Sequence, residues 1–166
     1  MKNAAIRIRP ISLKDADLVK SLRLRALADA PYAFEESLEK ARAMPEAAWQ
    51  RRLQANVAGE ESFCALAFDG DSAVGMAVGF FEQSGSKHAC VAALWVAPEH
   101  RRSGLATALL GAVERWARAA GAVFLRAQVK AGNPIARRFF EAAAFRPVEG
   151  REPAGPILVE REIATG

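Results

Sequence analysis

Several residue types are scarce in this 166-residue chain, and each shortage narrows what it does. Only two cysteines occur, Cys64 and Cys90, both inside apolar runs. Without a CxxC pair or a Cys/His cluster they read as packed thiols of a reducing compartment, so neither a zinc site nor any other metal is expected. Residues 1–10 lack the apolar core of a signal sequence. No apolar run approaches the ~20 residues needed to cross a bilayer. A cytoplasmic protein without a membrane partner is the expectation. Repeats, low-complexity tracts and linkers are also missing, which leaves one domain over residues 1–166 with one substantial core. Charge of one sign is not concentrated: the net charge of +4 is spread along the chain, densest at Arg51-Arg52, Arg101-Arg102 and Arg137-Arg138. That mild basicity suits an anionic ligand such as a phosphorylated cofactor. It also fits weak nucleic-acid binding, although no nucleic-acid partner is expected.

What is present is a regular alternation of periods. Residues 4–10 read as an edge strand with Ile6 and Ile8 among arginines. Ser12 and Asp15 form a capping box before a helix carrying Leu18, Val19, Leu22, Ala26 and Leu27. Ala30-Pro31 stops it, and Pro45 opens a second helix around Trp49 and Leu53, with a loop over 30–44 between them. Residues 62–68, 73–81 and 88–96 read as strands, the first turn marked by Asp69-Gly70-Asp71. A helix from about Gly104 to Ala119, capped by Gly121, precedes a strand over 122–129. Asn133-Pro134 starts the next helix, Arg146–Val148 is a short strand, and Ile157–Ile163 is the last strand. The order β-α-α-β-β-β-α-β-α-β predicts an α/β fold with a mixed sheet covered by helices.

The most informative segment is Val96-Ala97-Pro98-Glu99-His100-Arg101-Arg102-Ser103-Gly104-Leu105-Ala106. A strand ends, a tight loop follows, and a helix begins at Gly104. First-turn amides have no intrahelical acceptors and the helix dipole is positive there, so such an end holds phosphate. Gly104 allows close approach of a ligand, Ala106 keeps the next position small, and Arg101 and Arg102 add charge-assisted contacts. The pattern R-x-x-G-x-A at Arg101, Gly104 and Ala106 resembles the signature of the GNAT superfamily of N-acetyltransferases. "NPIARRFFEAAAF" resembles a second family motif at Asn133, Ala136 and Phe145, and "LRLRALADAPYAFEES" resembles the first-helix region of bacterial members. The resemblance covers nearly the whole chain. It implies a GNAT fold, acetyl-CoA as co-substrate, and transfer of the acetyl group to a primary amine of a small molecule or peptide.

The resemblance also distributes roles. Pantetheine would run beside Leu94, Trp95 and Val96, adding a strand to an open edge. The pyrophosphate would meet the amides of Arg101, Arg102, Ser103, Gly104, Leu105 and Ala106, with Thr107 close by. Asn133 would contact the pantetheine arm, cap the following helix, or both. Phe140 occupies the position where the family often places an acidic tyrosine, and would pack against the thiol end or in the core. The only tyrosine, Tyr32, lies in the loop after the first helix. The strand before the cradle carries no carboxylate base. His88 and Glu82 flank its far end, about 20 Å of strand away from Leu94, and are expected to be remote. Glu35 and Glu36 in the 30–44 loop remain as candidate bases, or as solvated loop residues. Trp95 and Phe34 are candidate walls of an acceptor pocket, or core. Cys90 lacks an activating base and reads as a packed thiol. A non-catalytic acyl-CoA sensor is the alternative reading, and a homodimer is common among similar proteins.

Overall fold

The computed structural model describes residues 6–149 and 155–163. The sequence segments with period two form strands: β1 (Ile6–Pro10), β2 (Ser62–Asp69), β3 (Ser72–Phe80), β4 (His88–Val96), β5 (Phe124–Val129), β6 (Arg146–Pro147) and β7 (Ile157–Glu162). Residues 4 and 5 of the expected first strand lie outside the described residues. The strands make one sheet in the order β1-β2-β3-β4-β5-β7-β6. Pairing is antiparallel except between β4 and β5, so the expected mixed sheet is what the structure shows. Gly70 takes a φ of 60° in the β2–β3 turn, a conformation glycine enters without steric penalty.

The helices are α1 (Ala16–Asp29), α2 (Leu38–Ala43), α3 (Glu46–Ala58), α4 (Leu105–Ala119) and α5 (Pro134–Ala142). The expected open loop over 30–44 is corrected: it contains a short 3-10 turn at Pro31–Ala33 and α2, capped by Ser37 Oγ accepting from Lys40 N at 3.1 Å. One face of the sheet carries α4. Its buried side, Leu105, Leu109, Leu110, Val113 and Ala117, packs on β2, β3 and β4. The fit is close: a Cβ added to Gly79 would stand 2.7 Å from the Trp116 ring and 2.8 Å from Val113. The opposite face carries α1 and α3, with Leu22, Leu27, Trp49 and Leu53 buried. No helix among the described residues is long and apolar enough to cross a membrane.

Where the chain enters α1, Asp15 Oδ2 accepts from Ser12 N at 2.7 Å, and both Asp15 oxygens accept from Arg9, at 2.7 and 2.9 Å. The Arg9 bonds outweigh burial, and with Ser12 they hold the Asp15 carboxyl down at about 2. An unfolded aspartate titrates near ~3.9, so the stability from this group is complete above that pH and is lost as pH falls through it toward the folded value. Asp15→Asn is therefore expected to flatten the loss of stability between about pH 4 and pH 2. Urea midpoints of both proteins across that range check it.

Candidate active site

The central strand carries an irregularity that makes the site. Met76 pairs with Trp95, but Val78 pairs with Ala92, so Ala93 and Leu94 together oppose Ala77. This is a β-bulge, and Ala93 adopts a φ of 50° within it. The extra residue reverses side-chain parity. Val91 faces α4 like its partner Gly79, whereas Trp95, four residues on, faces α1. On its other side β4 pairs with β5 only from His88↔Phe124 to Val91↔Ala127, after which β5 continues with β7. Ala92 to Val96 therefore have no β5 partner, and a cavity of about 770 Å³ opens in the gap.

At the end of β4, Ala97 N donates to Val74 O at 2.8 Å and a 3-10 turn at Pro98–His100 redirects the chain. Arg102 (φ 60°) and Gly104 (φ 83°) turn it into α4. A Cβ on Gly104 would meet nothing within 4 Å, so glycine serves the backbone angle here and the space before it is open. The first bond of α4 runs from Ala108 N to Gly104 O at 3.1 Å. Among the described residues, the amides of Arg102, Ser103, Gly104, Leu105, Ala106 and Thr107 find no acceptor. These unpaired donors at a positive helix end fit a pyrophosphate. Arg101 differs: its amide donates to Pro98 O at 3.3 Å.

The side chain of Arg101, expected to contact phosphate, is engaged within the protein in this structure. Its Nε donates to Val96 O at 3.0 Å, and its guanidinium is bonded to Asp29 at the end of α1. Trp95 Nε1 donates to the same Asp29 oxygen at 2.9 Å. The Trp95 bond, then Arg101, hold the Asp29 carboxyl below its ordinary range against the effect of burial. Arg101 is thus a positioning residue for the loop. Of the two places expected for Trp95, acceptor-pocket wall or core, the structure shows the core, where it is buried against α1. His100 Nε2 adds a 2.8 Å contact to Asp69 that ties the loop to the β2–β3 turn. Arg102 has no ionic partner among the described residues.

The cavity is lined from both sides of the sheet. Asn133, Ala136 and Phe140 of the α5 region stand on one side, and Phe34, Glu35 and Glu36 on the other. Asn133 Oδ1 accepts from Ala136 N at 3.2 Å, so it caps α5 while remaining on the wall. Phe140 is packed edge-on against Phe139 and Phe145. Lys130 Nζ reaches across to Phe34 O at 2.5 Å. Glu36 is not a free base. It accepts from Arg23 at 3.0 Å and from Arg52 at 3.0 Å. Burial raises its pKa, but hydrogen bonds from Arg52 and Arg23 prevail and leave it lowered, which makes it a poor proton acceptor. Glu35 is exposed on the cavity wall.

Glu82, expected to be remote, also lines the cavity, which extends along the sheet past Cys90. His88 instead stacks on Phe124 with ring centres 5.1 Å apart. The Cys90 thiol is pushed up to about 11, first by burial and then by the charge of Glu82. It stays protonated and is no nucleophile. No cluster of His, Cys, Asp or Glu among the described residues is arranged for a metal ion.

A sequence profile of the Acetyltransferase (GNAT) family matches residues 23–145. The chain belongs to the GNAT acetyltransferase family. It is an acetyl-CoA-dependent acyltransferase, and its mixed sheet with flanking helices is the GNAT fold. An acetyltransferase of the GNAT family from Streptococcus pneumoniae superposes with a TM-score of 0.82 at 16% identity, over 96% of this chain and 100% of that one. The PaiA N-acetyltransferase from Thermoplasma acidophilum, solved with coenzyme A, gives 0.77 at 16% identity, over 95% and 99%. An acetyltransferase from Thermus thermophilus gives 0.70 at 23% identity, over 98% and 99%. A search of curated protein sequences finds no match. Within this GNAT chain, sequence reasoning missed Arg23, Arg52 and Asp29. Their partners lie between 13 and 72 residues away, beyond any local pattern.

Proposed function

We propose that this GNAT protein acetylates a primary amine of a small molecule or peptide by direct attack, at the mouth of the β4–β5 gap. The carrying observation is the coincidence of two features at one end of β4. The Ala93–Leu94 bulge faces the cavity, and the unpaired amides of Arg102 to Thr107 follow a few residues later. Acetyl-CoA supplies an acyl group activated as a thioester. The amides at the start of α4 would hold its pyrophosphate, and Leu94 to Val96 would run beside the pantetheine. Asn133 would reach that arm from its capping position, while Phe140 packs the thiol end.

Nitrogen attacks the carbonyl carbon, the C–S bond breaks, and the thiolate departs. A strand amide at the bulge would steady the carbonyl oxygen as charge develops there. Exposed Glu82 and Glu35, which have no ionic partner among the described residues, would take the amine proton through solvent. Phe140 has no proton to give, and a thiol pKa near ~8.5 lets the leaving group depart without a side-chain acid. Thiol release measured with acetyl-CoA and a panel of primary amines is expected to show turnover on at least one of them. CoA binding by calorimetry without turnover on any amine would leave the sensor reading instead.

A further inference from the structure

A second cavity, of about 470 Å³, lies between the sheet and the α1 and α3 helices. Its walls are mainly apolar: Val19, Leu53, Met76 and Val78, with Trp49 among them. It shares Phe80, Ala92, Ala93, Arg23 and Arg52 with the larger cavity, so the two meet at the bulge. A molecule seated in the smaller one therefore presents its near end to Ala92 and Ala93.

Polar features at this junction restrict what that molecule is. Arg23 and Arg52 share the single carboxylate of Glu36, so this triad is net positive, while Glu46 on the smaller cavity pairs with Lys20 and Glu35 and Glu82 line only the larger one. The Arg52 guanidinium carbon stands 5.6 Å from the centre of the Trp49 ring. Trp49 is only 7% exposed, and its buried Nε1 has no acceptor among the described residues. A guanidinium at the mouth of an apolar cavity suits a ligand that brings a carboxylate with an apolar body.

We infer that the acceptor is an apolar α-amino acid, its side chain in the smaller cavity and its carboxylate on Arg52 and Arg23. Its amine then lies toward Ala92 and Ala93. This rests on the acetyl-transfer reading above and adds the class of acceptor to it. The cavity is of the size that encloses small ligands, and guanidinium is the side chain best suited to a carboxylate.

The test compares phenylalanine, phenylalanine amide and 2-phenylethylamine as acceptors at fixed acetyl-CoA. Phenylalanine is expected to exceed both in kcat/KM by about tenfold or more, because only it fills the carboxylate contacts. Arg52→Gln should erase that preference mainly through KM, while the Kd for CoA stays unchanged. Equal or faster turnover of the amide or of phenylethylamine overturns the inference, as does turnover confined to polyamines or peptides. In those cases acetyl transfer itself stands. Release of no thiol with any amine, from a chain that binds CoA, overturns both.

Discussion

Replacing Gly104 with glutamate is expected to raise the dissociation constant for CoA by at least about a hundredfold, because two like charges ~4 Å apart repel by about 4 kcal/mol at an effective dielectric of ~20. Gly104 has a φ of 83° and open space where a side chain would emerge. A carboxylate there would occupy the positive end of α4, beside the unpaired amides that fit a pyrophosphate. Gly104→Ala separates charge from backbone strain. It costs about 1 kcal/mol of stability for the left-handed conformation but brings no charge. CoA affinity in Gly104→Ala is expected to remain within a few-fold of the parent. Calorimetric titration of both variants checks this pair. An unchanged Kd in Gly104→Glu would place the pyrophosphate elsewhere, and equal losses in both variants would assign the effect to the backbone angle.

The second large effect concerns stability. Gly79→Ala places a methyl within 2.7–2.8 Å of the Trp116 ring and Val113, between β3 and α4. Both neighbours are held: Trp116 stacks on Phe63 and donates to Gly59 O at 2.7 Å, while Val113 is fully buried. Overpacking of this kind costs about 2–3 kcal/mol. In a chain of this size that corresponds to a fall in Tm of roughly 8 °C. Trp116→Leu removes the obstructing ring, so the double variant is expected to lose less stability than the two single losses added together. Thermal unfolding of the three variants decides it. Strict additivity would show that the two sites do not press on each other.

Much of the fold was legible because its determinants are local. The capping box at Ser12 and Asp15, the turn at Gly70 and the Asn133 cap each involve residues within a few positions of one another. The α2 helix escaped because Leu38–Ala43 is too short to display a periodic face. The cradle was legible for the same local reason, since strand end, loop and helix start are contiguous. The electrostatic frame around it was not. Nothing near Arg101 in sequence says that its guanidinium turns back to Asp29 instead of outward. Nothing near Glu36 says that Arg23 and Arg52 hold it. The β4 bulge was invisible as well: an alternation count cannot register one extra residue in a strand whose members are nearly all small or apolar. That residue decides which cavity wall each side chain joins.

Asp29 belongs to α1, the helix over the smaller cavity, and it binds both Trp95 and the loop arginine that shapes the cradle. One carboxylate thus joins the helix over the proposed acceptor cavity to the loop of the cradle. Any displacement of α1 that a ligand imposes must be felt by the loop. By thermodynamic reciprocity, donor occupancy then alters acceptor affinity by the same factor. The Kd for CoA is therefore expected to shift with acceptor present by the same factor as the acceptor's Kd shifts with CoA present, and the two binding equilibria are to be measured as a linked pair.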